Sequence, residues 1–321
     1  MRILVVGQLG YHEKNIILPI LQELKNNNVE IDRVGGNFDF FIKENYSKMI
    51  DSYLTSIPSL EQFIMYDKIF FVDYWNMILP IFMYLRSITK HKIEFIGLFH
   101  GGVGFEDDVA CGIQNSAEYE KYLLSSYDKI ISPIDYTNKV KDNFYICNLP
   151  LVEQTKQKRP VYNKSMGDIF LFFGHRFNED KGKEVYIKFY DYCKRQFSNN
   201  DIKFYVFGGQ ENLNLRDIRF LPRCSVSEIG YLIQGVNSYI FSAAKSETFG
   251  YTIFDFCSVG ATPLLNNIPA YNVFYDKFKY DSFDDLYSKL TNRIYMSNDE
   301  WNTILRNVVG GEKKICEVIL S

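Results

Sequence analysis

Residues 237–265 read NSYIFSAAKSETFGYTIFDFCSVGATPLL. A short apolar run, Ser238–Phe241, leads into a polar loop. A stretch carrying Ile253, Phe254, Phe256, Cys257 and Val259 follows and stops at Gly260. A second apolar run, Thr262–Leu265, comes next. Strand, helix, strand, with strands apolar along their whole length, makes a parallel pair covered on both faces. The turn into the helix falls at Thr248–Gly250, and Gly250 lets the backbone approach a ligand closely. A helix start presents N–H groups and partial positive charge, which suits an anion. Two acids flank it: Glu247 precedes the helix and Asp255 lies about one and a half turns inside. An acid in so apolar a run needs hydrogen-bond donors. The pair is therefore either a salt-bridged or capping arrangement, or a grip on a ligand.

The same alternation extends through the chain. Strands are predicted at Ile3–Val6, Val29–Arg33, Lys68–Val72, Ile93–Phe99, Lys129–Ser132 and Asn143–Cys147. Ile17, Ile20, Leu21 and Leu24 recur on one helix face. The stretch from Glu153 to Lys164 then turns polar and basic, and reads as a linker. Its cations Lys156, Lys158, Arg159 and Lys164 are expected to be solvated or to meet an anionic partner. After it the alternation restarts with Ile169–Phe173, a helix from Lys183, Lys203–Phe207 and Arg219–Leu221. Ser297 and Glu300 form a capping box ahead of Trp301, Ile304, Leu305 and Val308. The fold class this predicts is α/β. Two doubly wound, Rossmann-like domains, 1–152 and 167–300, are joined by a linker at 153–166 and followed by a helical segment at 301–321. Ligands in such sheets bind beyond the carboxyl ends of the strands, here in a cleft between the facing domains.

Composition excludes several classes. Of 321 residues, 46% are hydrophobic and 23% charged, which fits a soluble globular chain. Aromatics reach 17%, enough to expect aromatic-rich cores. A net charge of −3 argues against a dedicated nucleic-acid binder. There is no signal-peptide pattern and no run near the ~18 apolar residues of a membrane span, so a cytoplasmic location is expected. Six cysteines form no CxxC and none has a zinc-like His spacing, so buried reduced thiols are expected. The absence of an Asp-x-Asp pair leads to an expectation of no metal.

Four loops carry candidate chemistry. The segment Gly174–Gly182, GHRFNEDKG, follows a strand, and its Arg176 and Lys181 are spaced to suit a diphosphate. The second is the loop with Glu247. The third is His100-Gly101-Gly102 after Ile93–Phe99, where His100 sits at a strand end; His12 and His91 have weaker claims. The fourth is Gly7-Gln8-Leu9-Gly10. It is not GxGxxG, and a dinucleotide site is not supported. Gly10 is a donor-binding candidate, since the Gly pair suits close backbone approach to a phosphate or an acceptor.

Taken together, Arg176, Lys181-Gly182, Glu247, Phe249-Gly250, Asp255 and the run Cys257–Pro263 resemble the retaining group 1, glycogen-synthase-like glycosyltransferases of the GT-B fold. The likeness is good over about residues 167–275 and architectural over 1–150. It departs at Asp255, where the family usually has Glu, and at His175. The resemblance implies that Arg176 and Lys181 hold the donor diphosphate. Backbone groups of Phe249, Gly250 and Tyr251 would meet phosphates and sugar hydroxyls. Glu247 would accept from a sugar hydroxyl and Asp255 from the ribose, while Glu247 and His100 would be the catalytic positions. The implied activity is a metal-independent, retaining transfer of a hexose from a nucleotide sugar, a UDP-sugar foremost. The acceptor would be a polysaccharide, lipid or small molecule, with no cofactor beyond the donor. The compact first domain and the His100 loop also resemble phage transferases acting on modified bases in DNA. A non-catalytic nucleotide-sugar-binding protein is a further alternative, resting on Asp255.

Overall fold

The structure, a computed structural model, describes residues 1–9, 11–37, 45–73, 76, 78–99, 116–134, 143–156, 159–160, 167–175, 177, 179–196, 201–207, 217–222, 224–245, 247 and 249–321. The chain divides into two compact units. One runs as far as Leu151 and includes Gly310–Ser321; the other is Val152–Val309.

The first unit alternates strands and helices: β1 (Arg2–Val6), α1 (Tyr11–Asn26), β2 (Glu30–Val34), α2 (Tyr46–Ser56), α3 (Leu60–Phe63), β3 (Lys68–Phe71), α4 (Leu79–Thr89), β4 (Glu94–Leu98), α5 (Ser116–Ser126), β5 (Lys129–Ser132) and β6 (Phe144–Ile146). The second unit contains β7 (Ile169–Phe173), α6 (Lys183–Gln196), β8 (Ile202–Phe207), β9 (Ile218–Leu221), α7 (Val226–Ile233), β10 (Asn237–Ser242), α8 (Tyr251–Ser258), β11 (Thr262–Leu265), α9 (Phe283–Thr291) and α10 (Asn298–Val308). The last helix, α11 (Gly311–Leu320), returns to the first unit. Residues 301–321, read from sequence as one segment, are thus two helices in different units.

Both sheets are parallel. The first has the order β2-β1-β3-β4-β5-β6 and the second β11-β10-β7-β8-β9. The runs KIFF of β3 and KIIS of β5 are buried at every position, as continuous apolar strands between helix layers must be. On α1, Ile17, Ile20, Leu21 and Leu24 are all buried. Two lysines open inner strands, and one acid answers both. Lys68 Nζ lies 2.7 Å and Lys129 Nζ 3.0 Å from the Glu94 carboxylate. Lys129 also donates to Val318 O at 3.2 Å and Ser321 Oγ at 3.1 Å, at the carbonyl end of α11, where a cation is favoured.

The high aromatic content goes largely into the second unit's core. Tyr186 is fully buried, and its rings of contact include Phe173, Phe204 and Phe241 at 5.2–5.6 Å. Its hydroxyl joins the backbones of β7 and β8, reaching Leu171 O at 2.8 Å and Tyr205 O at 2.9 Å.

The linker reading needs correction at Arg159. That side chain is 3% exposed. It donates to Gly260 O and Met296 O at 2.6 Å and to Ala261 O at 3.0 Å, tying the turn between α8 and β11 to the segment just before α10. Lys156 pairs with Glu153 at 2.9 Å; Lys158 and Lys164 lie outside the described residues.

Among the described residues, Cys147, Cys193, Cys257 and Cys316 are buried thiols outside any disulfide, and Cys224 is half-buried. Burial pushes the Cys193 and Cys316 thiols up to about 12, far from a reactive thiolate. Cys111 lies outside the described residues. Among those residues, no helix is long and apolar enough to cross a membrane.

Candidate active site at the ends of β7 and β10

In the second sheet β7 has β8 on one side and β10 on the other. The chain winds outward from β7 through β8 to β9, then returns to the opposite side at β10. The loops leaving β7 and β10 therefore diverge at a topological switch point, where open α/β sheets take ligands. The loop after β7 carries His175 and Lys181, and the loop after β10 carries Glu247.

The two loops touch through backbone. Gly182 has φ +85°, and a Cβ there would lie 2.3 Å from Ala243 O. Gly182→Ala is expected to lower stability by roughly 2–3 kcal/mol, from the left-handed backbone and the overlap together. Urea unfolding checks it: the midpoint falls with the slope unchanged, and a wild-type midpoint would refute the close approach.

This contact brings Lys181 Nζ to 3.4 Å from Glu247 Oε2, with the two side chains 15% and 19% exposed. Glu247 Oε2 also faces His175 Nδ1 at 3.7 Å. His175 is buried. Its Nε2 lies 2.9 Å from Ser242 Oγ and 3.3 Å from the hydroxyl of Tyr271, in the turn Pro269–Tyr271. Ser242 Oγ and the Tyr271 hydroxyl are 2.7 Å apart. Burial first, and the nearby Glu247 carboxylate second, keep the Tyr271 hydroxyl protonated well above the ordinary tyrosine range. Asn266 braces the same loop, its Nδ2 donating to Ala244 O at 2.7 Å and its N–H to Ser242 O at 3.2 Å. Sequence reasoning passed over Ser242, Tyr271 and Asn266. The one available signal was a serine closing the strand directly after the apolar run Tyr239–Phe241.

Helix α8 starts where the sequence placed it. Gly250 is its N-cap at φ +69°, and a Cβ there would lie 2.8 Å from Tyr271 Cε1. Helices α7, α9 and α10 begin on serines whose side chains take a first-turn N–H. The glycine that begins α8 has no side chain to do so. The Phe249 ring stacks on Phe254 at 5.0 Å and 17°, so that side chain is core and only its backbone can meet a ligand. Tyr251, the first helical residue, is half-buried.

Asp255 is half-buried, and Thr155 Oγ donates to its Oδ1 at 2.6 Å. Thr155, from the stretch read as linker, therefore meets one oxygen of the acid assigned to a ribose. Burial pushes the Asp255 carboxyl up to about 6, against the pull of the Thr155 bond. The folded state thus holds its proton longer than the unfolded state. Stability is fully present below about pH 4 and falls as pH rises to about 6, by up to roughly 3 kcal/mol. Asp255→Asn is expected to melt above the natural chain by a margin that widens from pH 4 to pH 7. A margin that does not change with pH would contradict this.

Gly10, His100 and Arg176 lie outside the described residues. Near Gly10, Gln8 is buried and anchors its loop. Its Nε2 donates to Ser52 Oγ at 3.1 Å, and its Oε1 accepts from Gly36 N–H at 2.9 Å. His91 Nε2 contacts Tyr66 O at 3.3 Å. Among the described residues, no group of three or more His, Cys, Asp or Glu could hold a metal ion.

Solved structures with the same architecture are glycosyltransferases of the GT-B fold, and that is the fold of this chain. An α,α-trehalose-phosphate synthase (UDP-forming) from Burkholderia vietnamiensis matches 100% of both chains at 10% identity, with a TM-score of 0.64. WaaG, a glycosyltransferase involved in lipopolysaccharide biosynthesis, matches 99% of both at 11% identity and a TM-score of 0.62. A TarM variant from S. aureus, solved with Fondaparinux, alpha-GlcNAc-glycerol and UDP, matches 79% of this chain at 12% identity and a TM-score of 0.55. This chain spans 55% of the TarM chain, about half its length. No protein-family model and no curated protein matches the sequence.

Proposed function

We propose that the chain is a UDP-sugar-dependent glycosyltransferase whose second unit grips the donor. The observation that carries this reading is the meeting of Lys181 and Glu247 at the switch point of the second sheet, in loops that flank the start of α8. Lys181 offers a point charge to the diphosphate. The first turn of α8 offers N–H groups, and Gly250, at φ +69° with no room for a Cβ beside Tyr271, makes the turn that starts the helix. Glu247 takes a sugar hydroxyl, and Asp255 takes the ribose at the other end. Arg176 and His100 are assigned as the resemblance implies, to the diphosphate and to the sugar.

In the transfer, the C1–O bond to the diphosphate breaks and the acceptor oxygen bonds to C1. The acceptor proton leaves with a diphosphate oxygen, so no strong general base is needed. Cations and a helix start aimed at the departing diphosphate stabilise the charge that develops there. We assign no metal to this step, and assign retention by resemblance to the retaining family. The trehalose, lipopolysaccharide and GlcNAc-glycerol chemistry of the neighbours favours a glycan, lipid or small-molecule acceptor. Of the four linker cations that a DNA backbone could meet, Arg159 is buried on backbone carbonyls, which weighs against the DNA reading.

A thermal-shift panel of UDP-, GDP- and ADP-sugars tests the reading. A UDP-sugar at a hundred times its Kd adds about 2.7 kcal/mol and raises the melting temperature by several degrees. A panel in which nothing shifts the transition would refute it.

A further inference from the structure

His175 departs from the family pattern, yet it joins the Glu247 carboxylate to a buried hydroxyl pair. Its two ring nitrogens face different partners. Nε2 meets the Ser242 and Tyr271 hydroxyls at 2.9 and 3.3 Å, and Nδ1 faces the Glu247 carboxylate at 3.7 Å. Ser242 Oγ also accepts the Ala244 N–H at 3.3 Å.

The protons can be placed by counting donors. If Tyr271 O–H donates to Ser242 Oγ, then Ser242 O–H donates to His175 Nε2. The ring proton is then on Nδ1, pointing at an acceptor-only carboxylate. In the opposite tautomer a bare Nδ1 lone pair would face that carboxylate, with two acceptors opposed. The first arrangement leaves no such conflict.

We propose that His175 is the positioning residue of Glu247: its Nδ1–H, set by the Ser242–Tyr271 hydroxyl pair, aims the carboxylate at a hydroxyl of the donor sugar. This rests on the reading of Glu247 as the sugar contact. The 3.7 Å separation is longer than a hydrogen bond, and such contacts tighten when substrate binds. Among the described residues, the charged groups seen to face this ring are Glu247 and, through it, Lys181; Phe173 packs edge-on at 6.0 Å.

Two amides separate the two ends of the ring. In His175→Asn the amide nitrogen takes the place of Nδ1, and in His175→Gln it takes the place of Nε2. Affinities are measured for UDP and for whichever of UDP-glucose and UDP-N-acetylglucosamine raises the melting temperature. H175Q is expected to weaken the UDP-sugar by roughly 10- to 100-fold, the effect of losing a hydrogen bond to a charged group, and UDP by less than about threefold. H175N is expected to recover most of the loss. Equal loss for UDP and the UDP-sugar, or no recovery in H175N, would mark a merely structural histidine and overturn the proposal. Unchanged affinity in H175Q overturns this proposal alone, whereas a natural chain that binds neither ligand overturns the donor reading itself. Imidazole ¹⁵N shifts of the natural chain give an independent check: the proton is expected on Nδ1, and finding it on Nε2 would overturn the assignment.

Discussion

Lys181→Ala is expected to lower kcat/KM for the UDP-sugar by roughly 10²–10³-fold, the effect of removing one preorganised donor from a developing anion. The loss should fall mainly on kcat, because charge on the diphosphate grows as the C1–O bond breaks. The fold should persist. The pair with Glu247 is mostly but not fully buried, so losing one partner is expected to lower stability by roughly 1–3 kcal/mol without unfolding the chain. Lys181→Arg keeps a cation and should recover part of the rate, though the guanidinium is larger and planar. Steady-state kinetics beside thermal melts separates the outcomes. Full turnover in the alanine variant would remove Lys181 from the site, and collapse of the melt would make it a structural lysine.

The largest expected effect on stability is at Arg159. Its guanidinium takes three backbone carbonyls, those of Gly260, Ala261 and Met296, in a buried position. Arg159→Met keeps much of the volume and leaves all three oxygens without that donor. A loss of roughly 3–5 kcal/mol is expected. Arg159→Lys should recover little, since one ammonium cannot reproduce a fork across two neighbouring carbonyls and a third. Because the Gly260 and Ala261 carbonyls lie just beyond the C-terminus of α8, the variant should also weaken donor binding at the other end of that helix. Urea unfolding measures the first effect, and a loss below about 1 kcal/mol would show the fork to be dispensable.

Much of this fold was legible in the sequence for a simple reason. In a parallel sheet with helices on both faces, strands have no polar side, so runs such as those of β7 and β11 stand out between amphipathic stretches. The start of α8 was legible because a Gly between an acid and an apolar run has few other uses. What escaped notice depends on partners far along the chain. Nothing in a basic, proline-containing stretch shows that Arg159 meets carbonyls 101 and 102 residues away. Thr155 and Asp255 meet across 100 residues. His175 read as an odd neighbour of Arg176 because Ser242 and Tyr271 reach it only through tertiary packing. Local pattern announces elements; buried polar side chains are explained only by what packing sets beside them.

The central claim is that the second unit holds a sugar–diphosphate–ribose ligand by its three parts. Calorimetric titration of the natural chain and the Lys181→Ala variant with UMP, UDP and the UDP-sugar tests it most directly. Affinity is expected to rise from UMP to UDP to UDP-sugar in the natural chain. In the variant the step from UMP to UDP should shrink, with Arg176 and the start of α8 left to hold the second phosphate. Equal binding of UMP and UDP by the natural chain, or an undiminished step in the variant, would contradict the account.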